Sequence, residues 1–181
     1  ILASLPAAVM GMVLKSLVYA LFSSMLAVGV FLLATGLLLW FAERRGGGGG
    51  IPLEKLDPLG ALWIGVAQGF AIAPGFSRSG ATISAGLLQG LRRDDAARFS
   101  FLLSIPVILG AGIVELVGAF RSEACAGAIA PFLLGFLAST LSGYLAIRLL
   151  LQAVKGRKLT IFAVYTWVVG TGAIVWGLMG R

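Results

Sequence analysis

The residues around Arg78 are of the types that bind phosphate. Small and hydroxyl-bearing residues flank Arg78, namely Gly75, Ser77, Ser79, Gly80 and Thr82. A guanidinium can hold two oxygens of one phosphate group, hydroxyls add further donors, and glycine lets an oxyanion approach the backbone. If a helix begins here, its unpaired N–H groups and the positive end of its dipole also attract an anion. The pattern therefore predicts a phosphate or diphosphate site.

Two familiar phosphate motifs do not fit this segment. A Walker loop ends in Gly-Lys-Ser/Thr after a strand. A lipid-phosphatase pattern has Ser-Arg, five residues, His, three residues and Asp, but Ser84 and Leu88 stand at the last two positions. The sequence has no histidine and a single cysteine, Cys125, which removes the commonest general base and any cysteine metal site. A structural alternative is that Arg78 pairs with Glu115 and only holds the local shape.

The composition describes the surroundings of this segment. Of the 181 residues, 59% are hydrophobic, 26 are glycine and 12% are charged, and the mean hydropathy is +1.02. Soluble domains are about 45–50% apolar and about 25% charged, and a domain of this size could not hide so much apolar surface. The chain is therefore predicted to be an all-α integral membrane protein, a polytopic helical bundle forming a single transmembrane domain over residues 1–181.

Four apolar stretches are long enough to cross the hydrocarbon layer, which takes about 20 helical residues. The first could extend back to Leu21, whereas residues 1–14 are too short to span alone. The absence of an initial Met suggests that the chain is N-terminally incomplete. The four predicted spans are residues 25–42, 99–120, 129–154 and 159–179.

Residues 58–91 predict a re-entrant helical hairpin. An apolar helix over residues 59–73 is followed by Pro74, irregular residues up to Gly80, and a second helix that ends at Leu91. That second arm is too short to cross a bilayer, so both arms should enter and leave by the same face. Irregular backbone at such depth needs surrounding protein or a water-filled cavity. Arg78 therefore stands where an unpaired cation is costly.

The loop charges agree with a hairpin. The net charge is +7, which we attribute to cytoplasmic loops and not to nucleic-acid binding. The glycine-rich loop, residues 43–57, is then cytoplasmic, and its five-glycine run could be native or an engineered spacer. The hairpin arrangement places nine cations on the cytoplasmic face and three on the other. The nine are Arg44, Arg45, Lys55, Arg92, Arg93, Arg98, Lys155, Arg157 and Lys158, and the three are Lys15, Arg121 and Arg181.

Several short segments together resemble the bacterial undecaprenyl-diphosphatase, or bacitracin-resistance, family. Residues 5–9, 42–43 and 99–106 agree with its pattern. The most specific part is Gln68-Gly69 followed by Pro74-Gly75-Phe76-Ser77-Arg78-Ser79-Gly80-Ala81-Thr82. The resemblance runs along the whole chain and is expected to correspond to the C-terminal two-thirds of the family only.

The resemblance implies hydrolysis of undecaprenyl diphosphate to the monophosphate, which recycles the lipid carrier of cell-wall synthesis and gives bacitracin resistance. It further implies half of an inverted-repeat architecture in the bacterial inner membrane, with a site open to the periplasm. Arg78 would bind the diphosphate, and Ser77 and Thr82 would join it in the catalytic group. Residues that contact or approach the diphosphate would also include Gln68, Gly75, Ser79 and Gly80.

The same resemblance bears on catalytic groups, metal ions and assembly. The family's first repeat supplies a glutamate-rich motif, a Ser and a His, and we identify none of these here. The 181-residue chain alone is therefore expected to be inactive. No metal ligands are predicted in the chain, and a divalent cation, Mg or Ca, is an expectation from the family only. A homodimer is also expected. Two other functions stay open, a polyprenyl-phosphate transporter or flippase with the same Arg-Ser site, and a non-catalytic membrane subunit.

Overall fold

The computed structural model describes residues 2–46, 50–121, 129–156 and 159–179, and these are almost entirely helical. Short 3₁₀ turns at Leu2–Ser4 and Leu53–Lys55 accompany eight α-helices. The helices are α1 (Leu5–Val13), α2 (Lys15–Phe22), α3 (Met25–Arg45), α4 (Pro58–Phe70), α5 (Arg78–Leu88), α6 (Arg93–Arg121), α7 (Ile129–Gly156) and α8 (Thr160–Met179).

Four of these helices, α3, α6, α7 and α8, are long and apolar enough to span a membrane. They contain three of the four predicted spans and match the fourth except at residue 159, so the all-α polytopic architecture is confirmed. Helix α6 begins at Arg93 and not near residue 99, since Asp94 and Asp95 in its first turn favour helix initiation. Cys125, Arg157, Lys158, Arg181 and residues 47–49 of the glycine run lie outside the described residues.

The first span does not extend back to Leu21. Ser24 has an extended backbone, and its side chain accepts a hydrogen bond from the Ala27 N–H at 3.3 Å, which makes it the N-cap of α3. Before it, α1 and α2 are bent by 69° relative to each other and form at most one further, broken span. Helix α3 cannot continue back to Leu21 because the backbone of Ser24 is extended and not helical.

The hairpin formed by α4 and α5 returns to the end of the bundle from which it starts. Ile51, before α4, pairs with the segment that follows α5. The Ile51 N–H donates to the Gly90 carbonyl at 2.7 Å, and the Arg92 N–H donates to the Ile51 carbonyl at 3.1 Å. Helices of 13 and 11 residues are about 20 and 17 Å long, well short of the ~30 Å apolar layer. The predicted helical hairpin is confirmed, and both arms are shorter than a bilayer span.

The limits of the two arms differ from the prediction. Helix α4 ends at Phe70 and not at residue 73, and α5 begins at Arg78 and not after Gly80. Helix α5 ends at Leu88 because Gly90 adopts a left-handed backbone, with φ +85°, and the Leu91 N–H turns back to the Gly86 carbonyl at 3.0 Å. This is a glycine-terminated C-cap.

A partly buried ion pair joins three elements at one end of the bundle. The hairpin begins and ends there, and we call it the basic end. Arg93 at the start of α6 donates two hydrogen bonds to Glu43 near the end of α3, at 2.7 and 2.8 Å. The Leu159 N–H, just before α8, donates to the same carboxylate at 3.1 Å. Glu43 therefore links α3, α6 and α8 at this end.

Glycines allow close helix packing at some positions and not at others. A β-carbon at Gly65 would collide with the Ala3 carbonyl, and one at Gly69 would collide with Met10. On α7, a β-carbon added at Gly135 or Gly143 would meet none of the described atoms within 4 Å, so packing at those two is not observed. Among the described helices, α3 and α8 pack against each other most extensively, and the Trp167 indole of α8 donates to the Leu33 carbonyl of α3 at 3.2 Å.

Candidate functional site

The tip between α4 and α5 is built by a serine cap and a left-handed glycine. The Ser77 side chain accepts the Gly80 N–H at 3.1 Å and its carbonyl accepts the Ala81 N–H at 2.8 Å, so α5 starts at Arg78. Gly75 has φ +87°, and a β-carbon there would collide with the Val28 carbonyl of α3. Glycine at this position therefore allows the tip to pack directly on the backbone of α3.

Thr35 of α3 holds the tip from the other side. The Ser77 N–H donates to Thr35 Oγ1 at 3.0 Å, and the Thr35 hydroxyl donates to the Phe31 carbonyl at 3.0 Å. Thr35 is completely buried. Sequence reasoning missed this residue because a threonine in an apolar span, 42 positions before its partner, carries no motif. Its polarity within α3 was the only available signal.

Two backbone N–H groups at the tip have no hydrogen-bond partner in the described structure. The Arg78 and Ser79 N–H groups occupy the first two positions of α5 and bond to no atom in the described part of the chain. The Gly80 N–H, by contrast, donates to the Ser77 side chain. The Ser77 and Ser79 hydroxyl oxygens lie 3.5 Å apart. Two N–H groups, two hydroxyls and the positive end of α5 therefore remain for an anion.

The Arg78 guanidinium is half-buried and forms no ion pair with any described residue. The suggested partner, Glu115, is exposed on α6, so the structure does not show the alternative in which the two residues pair to hold the hairpin. An arginine at the tip of a hairpin inside an apolar bundle needs a negative partner. Within the described residues that partner is not protein, which favours a ligand.

Thr82 lies beneath the tip. It is 1% exposed, and its hydroxyl donates to the Arg78 carbonyl at 2.9 Å and lies 2.6 Å from the Ser100 hydroxyl of α6. Thr82 therefore ties the first turn of α5 to α6. Ser100 is a second residue that sequence reasoning did not select.

Gln68 is placed on the last turn of α4 and is 2% exposed. Neither atom of its amide has a hydrogen-bond partner among the described residues. A buried amide with no partner is costly, so this residue is a candidate for contact with a water or a ligand. The structure records no bond between Gln68 and the tip.

The tip is suited to an anion and unsuited to a divalent cation. Within the described ranges, no group of three or more His, Cys, Asp or Glu residues comes together as a metal site. At the tip, the Arg78 guanidinium and the backbone N–H groups repel a cation, and the two serine hydroxyls by themselves do not supply the carboxylate oxygens that Mg²⁺ or Ca²⁺ sites use. Residues 69–91 contain no Asp, Glu or His. The expected cation therefore does not fit the residues of this hairpin.

Comparison with known proteins identifies the family. A family model described as Bacitracin resistance protein BacA matches residues 1–172. The chain belongs to the BacA family. The BacA match includes the hairpin, both residues of the Glu43–Arg93 ion pair, and Thr35.

Three relatives of the BacA chain carry the name undecaprenyl-diphosphatase. The one from Methanothermobacter thermautotrophicus is 49% identical over 174 residues, which cover 94% of this chain and 94% of the relative. The relative from Carboxydothermus hydrogenoformans is 43% identical, over 98% of this chain and 69% of its own length. The relative from Desulforapulum autotrophicum is 46% identical, over 99% of this chain and 64% of its own length.

These lengths correct one expectation. The family model matches residues 1–172, and the chain covers 94% of the Methanothermobacter relative. A resemblance restricted to the C-terminal two-thirds of the BacA family is therefore not supported. The chain does span about two-thirds of the lengths of the other two relatives.

Proposed function

We propose that the protein hydrolyses undecaprenyl diphosphate to undecaprenyl phosphate and inorganic phosphate. The observation that carries the proposal is the half-buried Arg78 guanidinium, which lacks a carboxylate partner in the described structure and lies beside two unbonded backbone N–H groups. Family membership and the shared name of three relatives support the identity of the substrate.

The tip residues bind the diphosphate and stabilise its negative charge during hydrolysis. In hydrolysis, water attacks the terminal phosphorus, the bond from that phosphorus to the bridging oxygen breaks, and undecaprenyl phosphate leaves as an anion. Arg78 holds the diphosphate through paired hydrogen bonds and stabilises the negative charge that develops on the leaving group. The N–H groups of Arg78 and Ser79 and the hydroxyls of Ser77 and Ser79 orient the remaining oxygens.

The group that activates the water lies outside the hairpin. Residues 69–91 contain no carboxylate or imidazole, so this segment binds and orients the substrate but offers no general base. No step is routed through a metal ion. The expected inactivity of the 181-residue chain rests on its correspondence to only the C-terminal two-thirds of the family, which is not supported. We therefore propose that the chain itself is active, and absence of phosphate release by the purified chain would contradict this.

The cellular role follows from the proposed reaction. Release of the monophosphate returns the lipid carrier to peptidoglycan synthesis and lowers the amount of the diphosphate available to bacitracin. We place the enzyme in the bacterial inner membrane with the tip reached from the periplasm. The expected homodimer stays a prediction, which the mass of the detergent-solubilised protein tests.

Phosphate release distinguishes the enzyme from a carrier. Membranes of a host that overexpresses the gene should release one phosphate for each undecaprenyl phosphate formed, well above membranes with an empty vector. A flippase that uses the same Arg-Ser tip would instead move a fluorescent polyprenyl phosphate across vesicle membranes without releasing phosphate. Movement without release would overturn the enzymatic proposal, and neither activity would favour a non-catalytic subunit.

Replacing Thr35 with valine should weaken catalysis through the position of the tip. Valine keeps the shape but removes the hydroxyl that accepts the Ser77 N–H, so we expect about a tenfold fall in kcat/KM, from one neutral hydrogen bond. Thr35→Ser should restore most of it. Thr140→Val is the matched control, since the Thr140 hydroxyl donates only to the Phe136 carbonyl within exposed α7. Equal effects of the Thr35 and Thr140 substitutions would contradict this role.

A further inference from the structure

A small cavity borders the polar tip and is otherwise lined mainly by apolar residues. It has a volume of about 150 Å³, and Ser77, Ser79 and Gly80 form one wall. Leu39 of α3 and Ile83 of α5 continue this lining, and the facing side comes from α7 and α8. The hydroxyls proposed to hold the diphosphate are therefore also the boundary of a hydrocarbon-like space.

The far side of the cavity reaches the surface of the bundle. Leu150 and Val154 of α7 and Phe162 of α8 line it, together with Tyr165, which is 65% exposed. Away from the tip the lining is apolar apart from Thr166, whose hydroxyl donates to the Ala163 carbonyl at 2.9 Å, so this part of the cavity offers water few partners. It is stabilised by a hydrocarbon that excludes water from its walls.

Resting on the proposed function, we infer that this cavity binds the isoprenoid segment attached directly to the diphosphate. A prenyl diphosphate carries its charge and its hydrocarbon on adjacent atoms, and the cavity and the tip present the complementary surfaces side by side. The volume is below the ~300–1,000 Å³ of sites for whole drug-sized ligands. The cavity therefore takes only the first part of the chain, and the rest of the tail lies in the bilayer.

Two other apolar grooves do not share this position. One of about 600 Å³, lined by Leu53, Phe99 and Pro106 among others, includes no residue of the tip. Another of about 340 Å³ lies between α2 and the hairpin and includes Leu17 and Phe76, but none of the tip hydroxyls. The second groove is the competing path for the tail, and it supplies a direct comparison.

The test places a tryptophan in each apolar space and compares the binding of undecaprenyl diphosphate with that of inorganic diphosphate. Leu150→Trp should raise KM for undecaprenyl diphosphate about tenfold, because the indole takes the space of the proximal isoprenoid. The inhibition constant of inorganic diphosphate, which has no tail, should stay within twofold. Leu149→Trp is the control on the same helix, because Leu149 is 65% exposed and does not line the cavity. It should leave both constants unchanged.

Each other outcome overturns the assignment. An unchanged KM in a folded Leu150→Trp protein shows that the cavity is not used, and a raised KM in Leu17→Trp alone places the tail along α2. Equal changes for the lipid and for inorganic diphosphate show that the substitution disturbs the headgroup site. Phe162→Ala, which enlarges the same cavity, provides a second variant if Leu150→Trp does not fold, and it should raise KM for the lipid only. Failure of the proposed function appears separately, as no hydrolysis by the unsubstituted protein.

Discussion

Replacing Arg78 with alanine is expected to reduce kcat/KM for undecaprenyl diphosphate by about 100- to 1,000-fold, the usual effect of removing one preorganised donor from a developing anion. Arg78 is half-buried at the start of α5 and pairs with no described carboxylate. Its removal therefore breaks no structural ion pair, and thermal unfolding of the detergent-solubilised protein should change little. Phosphate release and unfolding temperature, measured on the same preparation, separate the two effects.

Two variants define what Arg78 supplies. Arg78→Lys keeps the charge but loses the paired geometry of the guanidinium, so we expect it to retain activity between that of alanine and that of arginine. Arg98→Ala removes an exposed cation of α6 and should leave turnover within about twofold. Undiminished hydrolysis by Arg78→Ala would show that the tip does not hold the diphosphate. A large loss in Arg98→Ala would show that the activity depends on general surface charge.

The second large effect is expected on stability, from Glu43→Ala. The Glu43 carboxylate accepts two hydrogen bonds from Arg93, at 2.7 and 2.8 Å, and one from the Leu159 N–H, at 3.1 Å. The Glu43 side chain is only 10% exposed and that of Arg93 only 28%. Alanine leaves this guanidinium without its anion, which should lower the free energy of unfolding by about 2–3 kcal/mol. Denaturant unfolding in detergent measures the difference.

A double-mutant cycle tests whether the loss belongs to the pair. Because the second substitution removes the stranded charge, Glu43→Ala with Arg93→Ala should cost less than the sum of the two single changes. Glu54→Ala removes an exposed carboxylate near the same basic end and should cost no more than about 0.5 kcal/mol. If Glu43→Ala and Glu54→Ala are equally mild, the pair does not hold α3, α6 and α8 together.

The neighbouring Arg92–Asp95 ion pair differs from Glu43–Arg93 in the exposure of its cation, because both carboxylates are largely buried. Arg92 bonds to Asp95 at 2.7 Å, and this hydrogen bond, with the charge of Asp95, raises the pKa of the Arg92 guanidinium above its ordinary value. The Arg92 side chain is 51% exposed, so water and salt screen much of this attraction. Although both pairs have a 2.7 Å contact, we expect the Arg92–Asp95 pair to contribute less to the free energy of unfolding than the Glu43–Arg93 pair.

Much of the fold could be predicted from local properties of the sequence. Apolar length predicted the four spans, because a bilayer requires a minimum run of apolar residues. The short arms around Pro74 predicted the hairpin, and the structure pairs its last residue, Leu91, with Ile51, which lies seven residues before α4. The limits of the helices were less accurate. Helix α3 begins at Met25, where the predicted span begins, and only its possible extension back to Leu21 is wrong. Helix α5 begins at Arg78, earlier than predicted, because Ser77 caps it.

The part of the site that lies far apart in sequence could not be predicted. Thr35 and Ser100 contact the tip from α3 and α6, and neither belongs to a motif. Gly80 was expected to serve the anion through its backbone, but its N–H is already bonded to Ser77. Which donors remain free depends on the cap, and the cap depends on the local backbone conformation.

By itself, the sequence determined the membrane class, the spans, the hairpin and the residue types at its tip, because hydropathy and short motifs act over a few adjacent residues. Only the tertiary structure decided that Arg78 has no protein partner among the described residues, that Glu43 is held by Arg93, and that an apolar cavity borders the tip hydroxyls. These facts depend on distances between helices, which arise from packing of distant segments and are not encoded in any one of them.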